Sequence, residues 1–175
     1  MRTLIAAALA ALLSSSVAAA QTPIRACDAE LNVTDQDPAG LNVRASPAGA
    51  VISTLKARGR WVRVEVTGQD GSWARIKSAT LEADENDNQS GDRLFKGVGW
   101  VAFSKLGVEE FDSRARFRAA PSEQAKLVLS LESYGDKTES AEAILGCDGD
   151  WLQVRIKGVV GWTNSWCTNQ LTTCV

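Results

Sequence analysis

Apolar and polar residues alternate over short stretches along most of this chain. The clearest stretch is Trp61-Val62-Arg63-Val64-Glu65-Val66, where every second position is a valine. Such alternation is typical of a strand with one buried face. Turn-forming clusters, for example Ser46-Pro47-Ala48-Gly49 and Gln69-Asp70-Gly71-Ser72, divide the stretches at intervals of about ten residues. The pattern predicts an all-β protein, with no helix beyond the first residues.

One arrangement of strands and turns occurs twice. An arginine segment that ends in proline, first at 42–47 and again at 116–121, leads to a strand that begins with tryptophan and then to a Gly-Trp pair. The tryptophans are Trp73 and Trp100 in the first copy, and Trp151 and Trp162 in the second. A repeat of this length predicts two small domains of the same kind.

The first twenty residues have the features of a secretory signal peptide. A basic start is followed by a short apolar run and by Ala18-Ala19-Ala20, which fits a cleavage site. The first cysteine is Cys27, too far along the chain for a lipoprotein signal, so we expect no membrane anchor. The predicted organisation is a signal peptide at 1–20, an N-terminal arm at 21–36, a first domain at 37–108 and a second at 112–175. The expected location is the periplasm or the exterior.

The repeated residues resemble the bacterial SH3-like domain family. The first copy matches its pattern at Leu41-Asn42-Val43-Arg44, Trp73-Ala74-Arg75-Ile76 and Gly97-Val98-Gly99-Trp100-Val101. The second copy keeps Arg118, Trp151-Leu152-Gln153-Val154 and the stretch from Gly158 to Trp162, but has Arg116-Phe117 where the family has Asn-Val. The resemblance implies two tandem small SH3-like β-barrels.

A barrel of this size holds few interior side chains, so large aromatic residues supply much of its core. We therefore predict that the four repeated tryptophans, Trp73, Trp100, Trp151 and Trp162, pack inside. Trp61 lies out of phase with the buried valines of its strand and is expected to face outward. The sequence leaves the environment of Trp166 open.

Four cysteines in an exported chain predict two disulfides, for which the sequence alone allows three pairings. A zinc site is the alternative, but the chain has neither a Cys-x-x-Cys spacing nor any histidine. The barrel topology implied by the resemblance favours Cys147 with Cys167, and Cys27 with Cys174.

The composition excludes most catalytic chemistry. Without histidine there is no Ser-His or Cys-His pair and no imidazole ligand. Asp84, Glu85 and Asp87 could in principle serve a glycosidase or hold calcium, but their acidic segment has no apolar wall and no EF-hand spacing. We therefore expect no enzyme, no cofactor and no metal. With 19 basic and 21 acidic residues, the chain also lacks the basic excess that nucleic-acid binding requires.

The remaining candidates are binding residues. Arg44 and Arg118 recur before the proline turn, where they either contact a ligand carboxylate or fix the turn through an internal ion pair or stacking. Trp61, Tyr134 and Trp166 are the aromatic candidates. The resemblance implies a non-enzymatic protein that recognises cell-wall peptide or peptidoglycan.

The alternative function is an inhibitor or accessory factor of an envelope protein. Such a protein would dock through its two polar insertions, at 81–93 and 134–142, where acidic side chains suit a basic partner surface.

Overall fold

The structure is a computed structural model that describes residues 23–57, 60–82, 91–134 and 139–167. This part of the chain is all-β, as predicted, and its only helices are short 3-10 turns at Phe103–Lys105 and Leu131–Tyr134. No helix within it is long and apolar enough to cross a membrane. The predicted signal peptide lies outside the described residues.

Seven strands form the first sheet, in the order β3-β2-β6-β5-β4-β1-β7. Their bounds are β1 Arg25–Val33, β2 Leu41–Arg44, β3 Val51–Leu55, β4 Val62–Asp70, β5 Trp73–Leu81, β6 Arg93–Ala102 and β7 Leu106–Gly107. All neighbours are antiparallel. The predicted alternation in β4 is confirmed, because Val62, Val64 and Val66 are buried on one face.

Five strands form the second sheet, in the order β10-β11-β12-β8-β9. Their bounds are β8 Arg116–Arg118, β9 Leu127–Ser130, β10 Ala143–Asp148, β11 Trp151–Ile156 and β12 Val159–Thr163. Lys157 and Gly158 alone join β11 to β12, and both have left-handed backbone angles (φ 49° and 72°). Such a two-residue turn matches the twist of the strands that it connects.

The two sheets contain the same five-strand unit. We call β2 to β6 the first unit and β8 to β12 the second, since β2, β3, β4, β5 and β6 occupy the places of β8, β9, β10, β11 and β12. Arg44 pairs with Val51 and Trp100, and Arg118 pairs with Leu127 and Trp162 in the same way. The register shifts immediately before each arginine, so the two copies share even this irregularity.

The glycine before each closing tryptophan is required by close packing. A Cβ atom on Gly99 would lie 2.3 Å from the Val43 side chain, and one on Gly161 would lie 2.8 Å from Cβ of Phe117. Carbon atoms that are not bonded do not approach this closely without a shift of the structure. Val43 and Phe117 each precede the repeated arginine, so the same contact explains glycine in both units.

Three of the four tryptophans predicted in the core are buried: Trp100, Trp151 and Trp162. Trp73 is only partly buried, with the Arg44 guanidinium 5.8 Å from the centre of its ring. Trp61 faces outward as predicted and is 50% exposed. The fully buried phenylalanines add to the core, and Phe111 meets Phe117 edge to face with ring centres 5.2 Å apart.

Much of the predicted N-terminal arm is a strand of the first sheet. Strand β1 pairs with β4 along most of its length, and its residues Cys27, Ala29, Leu31 and Val33 are buried at every second position. It also contacts β10 of the second sheet, and Cys27 bridges to Gly149 in the turn that follows β10. The arm therefore joins the two units.

The predicted pairing of the cysteines is wrong. Cys27 is bonded to Cys147, with their Cα atoms 5.6 Å apart, so neither the Cys147–Cys167 nor the Cys27–Cys174 bond is present. The physical reason is the position of β1, which places Cys27 directly against β10. Cys167 is also in a disulfide and pairs through its backbone with Glu110. Cys174 lies outside the described residues.

A glutamine completes this junction. Oε1 of Gln69 in β4 accepts a hydrogen bond of 2.8 Å from the backbone N–H of Cys147. Gly146 leaves room for it, since a Cβ there would lie 2.5 Å from the Gln69 side chain. The disulfide, the β1 bridge and this hydrogen bond connect the two sheets at one place.

Candidate functional site

Two open clefts contain sequence-predicted binding residues. The larger, of about 530 Å³, lies on the second unit and includes Arg118 and Trp166. The smaller, of about 440 Å³, lies beside the first unit and includes Trp61. The structure thus brings two of the five predicted residues into one site.

The larger cleft has a mixed polar lining. It consists of Asp112, Arg114, Ala115, Arg116, Arg118, Glu123, Glu132 and residues 163–167. Three arginines, three carboxylates and a tryptophan therefore line one cleft. Such a lining offers partners to both signs of charge and to an apolar group.

Arg118 is held in place from two sides. It ends β8, and its Nη1 donates to the carbonyl oxygen of Ala125 at 3.0 Å across the β8–β9 turn. Its Nη2 lies 3.0 Å from Oε2 of Glu123 in the same turn. The other carboxylate oxygen of Glu123 accepts a 3.1 Å hydrogen bond from Nδ2 of Asn164. A guanidinium and an amide thus hold one carboxylate at the edge of the cleft.

The other two arginines also have acidic partners. Arg116 lies 3.4 Å from Glu132, and Nε of Arg114 lies 3.2 Å from Oδ1 of Asp112. The backbone N–H of Arg114, followed by its guanidinium, lowers the pKa of Asp112, and the same carboxylate raises the pKa of Arg114. These shifts keep both groups charged, so neither is suited to transfer protons near neutral pH.

Trp166 connects the cleft to the first sheet. Its side chain is partly buried against the core, and its indole N–H donates to the carbonyl oxygen of Glu30 in β1 at 3.3 Å. Cys167, next to it, accepts a backbone hydrogen bond of 3.0 Å from Glu109. The position of this ring therefore depends on the junction between the two units.

The smaller cleft places Trp61 beside Arg60, Asp35 and Asp37. Asp35 is paired with Lys105 at 2.8 Å, which raises the pKa of that lysine. Nε of Arg60 donates a hydrogen bond of 2.9 Å to the carbonyl oxygen of Glu82. Trp61 is the one large exposed apolar side chain among the residues that we identify in this cleft.

Arg44 does not line either of the two clefts. Its Nη1 donates to the carbonyl oxygen of Gly49 at 2.8 Å, and its guanidinium stacks on Trp73. This arrangement agrees with the alternative interpretation of the sequence, in which the arginine fixes the proline turn.

The remaining predicted positions fall outside the described residues. The side chain of Tyr134 is among them, although its backbone belongs to the 3-10 turn at Leu131–Tyr134. So are the acidic residues Asp84, Glu85 and Asp87, with the rest of 83–90 in the first polar insertion, and residues 135–138 of the second. Within the described ranges, no group of three or more acidic or cysteine side chains could hold a metal ion.

Sequence reasoning missed Glu123, Asn164 and the two further arginines. Glu123 lies in a polar turn and Asn164 just after β12, and neither belongs to a repeated motif. The signal that could have found them is a comparison of the two copies, because the first unit has Ala102 where the second has Asn164.

No protein-family model, no curated protein and no solved structure matches this chain.

Proposed function

We propose that this is an exported, non-enzymatic binding protein, built from two SH3-like units, that recognises cell-wall peptide through the larger cleft. The observation that carries the proposal is the meeting of Arg118 and Trp166 in one open cleft of mixed charge. Cell-wall peptides carry free carboxylates, free amines and small apolar side chains. The three arginines, the three carboxylates and the tryptophan offer a partner for each of these groups.

The rest of the molecule supports this location and class. A predicted leader and a buried disulfide are both features of exported proteins. The ion pairs of Arg116 and Arg118 each have an exposed carboxylate, so each contributes little to folding and can exchange its partner for a ligand group.

The test is co-sedimentation of oxidised protein, residues 21–175, with purified cell-wall sacculi at low and moderate salt. We expect saturable pelleting that persists at moderate salt, because an aromatic contact accompanies the charged ones. Arg116→Gln should weaken it several-fold, since Arg116 is exposed in the cleft and makes no described contact with the core. Trp61→Ala, in the other cleft, is the matched control and should pellet like the unmodified protein.

Failure of the unmodified protein to pellet would contradict wall recognition. Equal loss with Arg116→Gln and Trp61→Ala would contradict the choice of cleft. In the first case the alternative function, docking on an envelope protein through the polar insertions, becomes the hypothesis to test.

A further inference from the structure

The two repeated arginines act differently, although they hold the same place in their units. Both donate from Nη1 to a carbonyl oxygen across the following turn, at 2.8 Å for Arg44 and 3.0 Å for Arg118. Arg44 then stacks on Trp73, whereas Arg118 presents Nη2 to the carboxylate of Glu123. The fixed Nη1 contact orients the second arginine before any ligand arrives.

Two sequence differences between the copies concern this carboxylate. The first turn, Ser46-Pro47-Ala48-Gly49, has no acidic residue, while the second is longer and contains Glu123. Asn164 stands where the first unit has Ala102, so an amide donor is present in the second unit only. The carboxylate and this amide therefore occur together in one copy, beside an arginine that both copies have.

We propose that Arg118 and Asn164 form a seat for a free carboxylate of the bound ligand, and that Glu123 occupies this seat in the unliganded protein. The proposal rests on the proposed peptide-binding function and narrows it to peptides with a free carboxyl group. Guanidinium and amide donors at 3.0 and 3.1 Å have the geometry of a charge-assisted carboxylate contact.

Glu123 is suited to leave the seat. Its side chain is 58% exposed, whereas that of Arg118 is only 19% exposed. An ion pair with one exposed member is weak, and the glutamate lies in a turn from which it can rotate into water. Arg118 would stay behind, held by Ala125, with Nη2 directed into the open cleft.

Competition between the two carboxylates gives a direct test. The probes are N-acetyl-alanyl-alanine and its C-terminal amide, titrated into the isotope-labelled, oxidised protein and followed by NMR. Glu123→Gln removes the competing charge and should increase the affinity for the carboxylate probe about two- to fivefold. This factor corresponds to the free energy of an exposed ion pair. Asn164→Ala should weaken it by a similar factor. The amide probe should bind more weakly to every form, and Glu123→Gln should leave its affinity unchanged.

The matched control is Arg44→Lys, which changes the equivalent arginine of the first unit and should leave both probe affinities unchanged. Arg118→Lys keeps the positive charge but removes the paired N–H donors of the guanidinium. It should therefore weaken binding of the carboxylate probe and leave binding of the amide probe unchanged. Circular dichroism and the dispersion of the NMR spectrum verify that each variant folds.

Three results would overturn the seat: equal binding of the two probes, an unchanged or weaker affinity in Glu123→Gln, or no shifts up to the solubility limit of the probe. The sacculus experiment separates this failure from failure of the proposed function. If the protein pellets with sacculi but binds both probes equally, wall recognition stands and the carboxylate seat is contradicted. If it prefers the carboxylate probe but does not pellet, the seat stands and the cell wall is not the ligand.

Discussion

Removal of the Cys27–Cys147 disulfide should cost this protein much of its stability. The bond joins residues 120 positions apart, and both cysteines are buried. In the chain-entropy description, a crosslink that closes a loop of this length stabilises the folded state by about 5 kcal/mol. Small proteins have unfolding free energies of about 5–15 kcal/mol, so the double variant Cys27→Ala/Cys147→Ala should lose a third or more.

Urea unfolding, followed by tryptophan fluorescence, measures this loss. With a urea dependence of about 2 kcal/mol per molar, the midpoint should fall by roughly 2–3 M. The transition should also broaden or split in two, because the bond lies where β1 of the first sheet meets β10 of the second. Among the described residues, the polar contacts left at this junction include the hydrogen bond of Gln69 with Cys147 and the backbone hydrogen bonds of Gly149 with Ala26 and Asp28.

Peptide mapping of the oxidised protein provides the control. It should yield a fragment that contains Cys27 linked to Cys147. A fragment that links Cys27 to Cys174, or a loss of unfolding free energy below about 1 kcal/mol in the double variant, would refute the reasoning.

Two further changes test the fold and the cleft. Gly161→Ala should lower the unfolding free energy by about 1–3 kcal/mol in urea titrations, because its Cβ would lie 2.8 Å from Cβ of Phe117. An unchanged unfolding free energy would contradict the packing argument. Asp112 has a lowered pKa, so its contribution to stability is present above its usual pKa of 3.8 and is lost as the pH falls through the lower, folded value. Asp112→Asn should therefore reduce the fall in unfolding free energy between pH 6 and pH 2.5. If urea titrations show the same fall in the variant, the stabilising role of the Asp112 carboxylate is contradicted.

The repeated framework could be predicted because the same physical demand appears twice in the sequence. Alternation in β4 predicted a half-buried strand, and the strand has this pattern. The Gly-Trp pair recurs at Trp100 and Trp162, and in the structure Val43 and Phe117 leave no room for a Cβ at either glycine. Burial of one strand face and close packing at a glycine each depend on a few neighbouring residues, so each can be recognised in a short stretch of sequence.

The junction could not be predicted in this way. Cys27, Ala29, Leu31 and Val33 do alternate in the sequence, but the sequence does not say which strand they pair with. The pairing with β4, and the contact of β1 with β10, join residues far apart in the chain. The error in the disulfides follows directly, because the partner of Cys27 is decided by that long-range contact.

The larger cleft escaped prediction for a related reason: several residues that line it, such as Glu123 and Asn164, belong to no repeated motif. Where the units agree, as in Arg44 and Arg118 or Gly99 and Gly161, the shared residue holds the fold. At two positions where they differ, the residue of the second unit lines the cleft. Arg116 stands where the first unit has Asn42, and Asn164, just after β12, stands where it has Ala102.

The two units therefore use their repeated arginine differently. The first unit keeps its arginine as a brace for the turn, while the second uses the same brace to direct a guanidinium toward a carboxylate. Trp166, which completes the cleft, is hydrogen-bonded to Glu30 of β1 and so depends on the first sheet for its position. A second unit produced alone would therefore be expected to lose affinity even if it folds, because the cleft that it carries is completed by the strand that joins it to its neighbour.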